Sequence, residues 1–247
     1  MLPILQIGPL AIPTPGLLIL AGLWGGLAIA ERNAPRFNVN AEALYNLVFA
    51  MLVSGIAGAR LSYVAQFPSA FLENPASLIS LNLALLDPWG ATAAALIAGL
   101  IYGQRKGMHM PQTLDALTPL LAILGVVLPL ANLASGKGFG NETDLPWAIE
   151  LWGASRHPTQ LYETAAGGII LWHIMSRIPA KYNTGYKSGW IFLQFTALCA
   201  TARLFLEGFR GDSQVIFNSL RAAQVAAWLV LALATWGFYW FPKEKRS

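Results

Sequence analysis

Seven apolar runs of near membrane-spanning length dominate this sequence, and they constrain its fold more than any other feature. Counted at about 1.5 Å of rise per helical residue against a hydrocarbon core of roughly 30 Å, they fall at about 12–30, 44–65, 88–103, 114–134, 160–178, 188–207 and 221–241. The pattern predicts an all-α integral membrane protein with seven transmembrane helices. It reads as one polytopic domain over residues 1–247, with outer connectors at about 66–88 and 135–159 forming a small head. The third run is the weakest, because Gly90 to Gly103 crosses only with the help of its flanks. Composition agrees: 55% of the residues are apolar and only 11% charged, and the mean hydropathy of +0.52 lies outside the usual balance of a soluble domain. Trp89, Trp147, Trp152 and Trp240 stand at the ends of apolar runs, where amphipathic rings favour the membrane interface.

The 16 Lys and Arg residues give the orientation. Ten of them (Arg32, Arg36, Arg105, Lys106, Arg177, Lys181, Lys187, Lys243, Lys245 and Arg246) fall after odd-numbered runs or in the C-terminal tail. Lys137, Arg156, Arg210 and Arg221 fall on the other side, and Arg60 and Arg203 inside runs. The positive-inside rule then predicts an outside N-terminus and a cytoplasmic C-terminus. The net charge of +4 is accounted for by this asymmetry and by anionic headgroups. No basic groove with interleaved aromatics suggests a nucleic-acid partner. The N-terminus lacks the basic region and small-residue cleavage site of a secretory signal, so the mature chain is expected from Met1. Cys199 is the single cysteine, which excludes an intramolecular disulfide. No spacing of His, Cys or carboxylates suggests a metal, and no phosphate loop or cofactor motif is present.

Polar groups inside apolar runs are costly and need a reason. The stretch SRHPTQLYE, Ser155 to Glu163, opens the fifth run from the outer side. Arg203, Glu207 and Arg210 mark where the sixth run leaves on that side, at i, i+4 and i+7 of one helical face. Arg60 lies toward the outer end of the second. A self-solvating Arg203–Glu207 pair and a polar cavity open to the outer leaflet both satisfy this spacing, and Arg60 alone is compatible with a snorkelling side chain. His157 precedes Pro158, which biases it to extended backbone and puts proline at the first position of the next helix. Its imidazole would stand at a helix mouth, as a strut or as a proton acceptor, with Tyr162 and Glu163 one turn inside. His109 and His173 lie toward the inner side and read as structural.

RHPTQLYE closely resembles the Arg-His-Pro-Ser-Gln-Leu-Tyr-Glu signature of the bacterial prolipoprotein diacylglyceryl transferases. Other segments agree in order: IGPLAI at Ile7 to Ile12 is similar to the family's strand-like opening, GARLSYV at Gly58 to Val64 to its second-span motif, ETDLPW at Glu142 to Trp147 to the segment before the signature, and ARLFLEGFR at Ala202 to Arg210 to its sixth-span motif. Gln224 matches the glutamine that opens the last span. The resemblance implies a seven-span fold in the bacterial inner membrane with an outside N-terminus and a periplasmic head. It also implies transfer of diacylglyceryl from phosphatidylglycerol to the lipobox cysteine thiol of a preprolipoprotein, without a cofactor. Such a reaction needs a thiolate, donors that hold a phosphate and a lateral opening for a two-chain lipid.

By the same resemblance Arg203 binds or neutralises the phosphate, Glu207 orients it and Arg210 stands nearby. Asn132, Gly140, Arg156, His157, Gln160, Tyr162 and Glu163 occupy motif positions, and Arg60 contributes from the second span. The chain departs from the pattern at five positions. Pro129 replaces an arginine, Trp89 stands near a histidine position, Pro15 and Cys199 take tyrosine positions, and Lys137 takes a glutamate position. Two readings follow. One is a transferase in which His157 is the general base and Arg60 or Lys137 substitutes for the arginine. The other is a non-catalytic phospholipid-binding or assembly subunit that reuses the fold.

Overall fold

Apolar runs long enough to saturate their own backbone hydrogen bonds become helices wherever water cannot serve as partner, and the structure, a computed structural model, is built from them. It describes residues 4–7, 10–73, 86–181, 187–216 and 219–240. The helices are α1 (Thr14–Asn33), α2 (Ala41–Gln66), α3 (Pro68–Glu73), α4 (Pro88–Arg105), α5 (Met110–Ser135), α6 (Thr159–Arg177), α7 (Trp190–Leu206) and α8 (Ala222–Trp240). Each of the seven apolar runs contains one long helix. By length and hydropathy five of the described helical segments can cross a membrane: Thr14–Phe37, Ala41–Gln66, Met110–Ser135, Trp190–Phe209 and Ala222–Tyr239. Helices α4 and α6 fall outside that set. Helix α6 gives its first two turns to Thr159, Gln160, Tyr162, Glu163 and Thr164, which dilute its apolar content. Large apolar side chains point outward along the helices, among them Leu20, Trp24, Ile169, Trp172, Trp228 and Leu233, as expected of helices solvated by lipid.

The chain divides into two compact units. The unit of residues 39–113 holds α2, α3 and α4. Asn40 caps α2 by accepting the Ala43 amide at 2.9 Å. Asp87 caps α4, accepting the Gly90 amide and the Ser62 hydroxyl at 2.7 Å each. Those bonds, the Ser62 hydroxyl foremost, hold the Asp87 carboxyl below the usual carboxylate range. Helices α2 and α4 meet along small residues: a Cβ on Gly58 would lie 2.2 Å from the Ala94 Cβ, so the backbones approach as only glycine permits. Part of the predicted outer connector 66–88 is helix α3; its residues 74–85 lie outside the described segments.

The other unit takes residues 1–38 and 114–247. A hairpin of β1 (Ile4–Ile7) and β2 (Leu10–Pro13) leads into α1. Helix α1 packs on α5, with Gly22 against Val127 and Gly26 against Leu120. Helix α6 crosses α5 more closely still, since a Cβ on Gly167 would stand 2.7 Å from the Gly125 carbonyl oxygen. Asp115, fully buried on α5, accepts the amides of Gly189 and Phe192, the latter at 2.8 Å. It thus satisfies orphan donors at the start of α7. The head consists of the loop after α5, the hairpin β3 (Ile149–Leu151) and β4 (Ala154–Arg156), and the short pair β5 (Val215–Ile216) and β6 (Leu220–Arg221).

Two local expectations are corrected. Helix α6 begins at Thr159 with Pro158 as its cap, so proline stands one position before the first helical residue. The helical spacing of Arg203, Glu207 and Arg210 does not persist: α7 ends at Leu206, Glu207–Phe209 is a 3₁₀ turn and Arg210 is extended. The tighter turn and Gly208 free Arg210 from the helical face.

Candidate functional site

Helices α5, α6 and α7 enclose a cavity of about 450 Å³. Ala122, Gly125, Leu128, Ile170 and Phe195 make its wall apolar, whereas Asn132, Glu163, Arg203 and Arg210 gather as its polar lining. The sequence brings them together through four elements. The last turns of α5 carry Asn132, the first turns of α6 carry Glu163, the last turn of α7 carries Arg203, and the 3₁₀ turn after it delivers Arg210.

The ion pairs form a chain. Glu163 Oε1 accepts from Arg203 Nη1 at 3.1 Å and from Arg210 Nη1 at 2.8 Å. Arg203 Nη2 also reaches Glu207 Oε2 at 2.8 Å, and the Ser213 hydroxyl donates to Glu207 Oε1 at 2.7 Å. Arg210 makes a two-pronged pair with Asp212, Nε to Oδ1 and Nη2 to Oδ2, both 2.9 Å. Burial works against the Arg210 charge, but its hydrogen bonds to Asp212 and Glu163 and the attraction of both carboxylates outweigh it, so the guanidinium is held above its ordinary pKa. The Arg203 side chain is the most open member at 38% exposure, against 14% for Glu163, 12% for Arg210 and 1% for Glu207.

Backbone geometry in the head fixes this chain of charges. Gly140 pairs with Arg210 in an antiparallel bridge, and a Cβ at Gly140 would sit 2.3 Å from the His157 carbonyl oxygen. Gly138 has φ +69° and passes so close to Arg210 that a Cβ there would lie 3.3 Å from Nη2. Gln160, fully buried, donates to the Lys137 carbonyl at 2.9 Å, and Thr159 to that of Gly138 at 2.7 Å. These two side chains tie the start of α6 to the loop after α5.

The other expected residues have distinct places. His157 Nδ1 lies 3.5 Å from the Tyr162 hydroxyl, which accepts from Trp147 Nε1 at 2.8 Å. His157, Tyr162 and Phe209 form an edge-to-face aromatic cluster, and none of the three is among the residues that line the cavity. Arg156 is engaged within the head: Nε to the Leu151 carbonyl, Nη1 to that of Gly140, Nη2 to Glu142 at 3.0 Å, and its plane over Phe139. Gln224 donates to the Leu204 carbonyl at 3.3 Å. Arg60 belongs to the other unit, half-buried on α2. Trp89 is exposed at the start of α4 and Lys137 is exposed in the head loop, while Pro129 and Cys199 both line the cavity.

Arg221, Asp212 and Ser213 were not among the expected site residues. Arg221 Nη1 donates to the carbonyls of Glu207 and Arg210, the second at 2.8 Å, and to the Ser213 hydroxyl at 3.1 Å. It closes the end of α7 onto the β5–β6 pair. The one hint in the sequence is a cation in an outer connector otherwise poor in them.

Fold and cavity define a helical protein of membrane type with an open cavity between helices, apolar along its walls and lined at its polar part by arginines. The chain belongs to the prolipoprotein diacylglyceryl transferase family, which matches residues 3–240. Among its relatives is a phosphatidylglycerol–prolipoprotein diacylglyceryl transferase of Synechococcus elongatus, 27% identical over 99% of this chain and 88% of the relative. The protein of the same name from Clostridioides difficile is 28% identical over 85% of this chain and 83% of its own length. That of Pseudomonas fluorescens is 33% identical over 71% and 69%.

Proposed function

We propose that this chain transfers the diacylglyceryl group of phosphatidylglycerol to the lipobox cysteine of a preprolipoprotein, as the names of its relatives state for them. The observation that carries this reading is the convergence of Arg203 and Arg210 in a cavity whose remaining wall is apolar. An anionic lipid needs both, a pair of guanidinium groups for its phosphate and a dry slot for a chain. In the reaction a sulfur–carbon bond forms at the glyceryl carbon and the carbon–oxygen bond to the phosphate breaks. The electron pair leaves with glycerol 1-phosphate, whose charge the arginines hold. His157 takes the thiol proton, oriented by Tyr162 and Trp147. Asn132 and Gly140 support the polar end, with Glu207 holding Arg203 in place.

The chain is read as one polytopic domain of seven spans in the bacterial inner membrane, with the N-terminus and head outside and the C-terminus in the cytoplasm. A protease site placed after Ser247 should be protected in intact spheroplasts and cut after lysis; cutting in intact spheroplasts refutes this orientation.

A second reading is favoured by Pro129 and Cys199, which line the cavity at positions where the family motif has an arginine and a tyrosine. In it the cavity holds a phospholipid without chemistry. Transfer of labelled diacylglyceryl from phosphatidylglycerol to a lipobox peptide by the purified protein separates the two. Turnover that falls about 10²- to 10⁴-fold in His157→Ala, the usual worth of a general base, supports the transferase. Lipid binding without turnover in the wild type supports the second reading.

A further inference from the structure

Among the described residues Glu163 is the one acidic residue lining the cavity, and its Oε1 takes a guanidinium N–H from each of two lining arginines, Arg203 and Arg210. A lipid phosphate entering the cavity seeks the same donors. The carboxylate and the phosphate therefore compete for them.

We propose that Glu163 is an internal competitor for the phosphate: the arginines turn from its carboxylate to the lipid when substrate binds, and its reclaiming of them expels the glycerol phosphate product. This rests on the lipid-binding reading above. The surrounding charges make the exchange feasible. Arg203 keeps Glu207 and Arg210 keeps Asp212 when Glu163 lets go, so neither guanidinium is orphaned. Neither of those carboxylates is among the residues that line the cavity, and Glu207 is buried at 1% side-chain exposure. Among the described residues the lining carries two positive charges and one negative, a balance that favours an anion. Unopposed arginines would grip the phosphate of the departing product as firmly as that of the lipid, and a carboxylate that competes for them weakens that grip.

The test compares wild type, Glu163→Gln and Glu163→Asp in phosphatidylcholine nanodiscs with graded amounts of phosphatidylglycerol, each titrated with glycerol 1-phosphate. Glutamine turns the two charge-assisted hydrogen bonds that must be exchanged into weaker neutral ones, which corresponds to about tenfold in affinity. Glu163→Gln should bind phosphatidylglycerol about tenfold more tightly than wild type and be inhibited by glycerol 1-phosphate at correspondingly lower concentration. Glu163→Asp, whose carboxylate is set back by one methylene, should show the same change to a smaller degree; it decides the matter if the glutamine variant does not fold. Affinity unchanged or weakened in the variants, beside normal binding in the wild type, overturns the competition while leaving the lipid site standing. Binding absent from all three overturns the lipid site and the competition with it.

Discussion

Arg203→Ala is expected to abolish phosphatidylglycerol binding in nanodiscs and to reduce diacylglyceryl transfer at least about 100-fold, the usual worth of a charge-stabilising donor to the rate. The residue spans two carboxylates, with Nη1 on Glu163 and Nη2 on Glu207. Its removal has a second effect that must be separated from the first. Glu207 is buried, and loss of its cation leaves an uncompensated charge, which commonly costs about 3–5 kcal/mol of stability. The double variant Arg203→Ala with Glu207→Gln removes that charge and should recover thermal stability without recovering lipid binding. If binding returns with stability, Arg203 is a structural partner of Glu207 and the assignment fails. Arg203→Lys should fall between, because one ammonium cannot replace a two-pronged guanidinium.

The second large effect is expected at a residue without a side chain. In Gly140→Ala the new methyl group would meet the His157 carbonyl oxygen at 2.3 Å and its Cβ at 2.6 Å, so backbone must move. Gly140 is bridged to Arg210 and hydrogen-bonds through its carbonyl to Arg156; displacement therefore shifts His157 on one flank and Arg210 on the other. A misplacement of about 1 Å is enough to cost about 10² in rate. Transfer by Gly140→Ala should drop by at least that factor with helical content by circular dichroism unchanged. Gly168→Ala on α6, where an added Cβ meets nothing within 4 Å, is the control and should be indistinguishable from wild type. Full activity in Gly140→Ala would show that this bridge does not position the site.

Seven of the eight helices were legible because a long apolar run satisfies its backbone hydrogen bonds as helix, and each of the seven runs holds one, whereas α3 lies in a connector. Their ends were less so. The cap at Asn40 draws α2 out to Ala41, three residues before the apolar run begins, by one side-chain hydrogen bond. The hairpins of the head escaped the apolar pattern because their strands are two to four residues long. Such strands gain their place from the loops that clasp them, and hydrophobic periodicity does not report this. Within the site, the pairing of Arg203 with Glu207 followed from spacing, since i and i+4 remain neighbours even where the helix ends. The sharing of Glu163 between Arg203 and Arg210 did not. It depends on α6 and α7 standing side by side and on a 3₁₀ turn that redirects Arg210, both products of tertiary packing. Arg221 was invisible for the same reason: its acceptors are backbone carbonyls, which carry no mark in a sequence.

Helix α7 is clasped at both ends by groups from other elements. At its start two amides hang from one buried carboxylate, Asp115; past its finish Arg221 donates to the carbonyls of Glu207 and Arg210, and Arg210 is bridged to Gly140. Trp190 and Arg203 are separated by about 20 Å of helix at 1.5 Å per residue. With the backbone held at either end of that rod, adjustment to an incoming charge falls to the Arg203 side chain, the most open of the group.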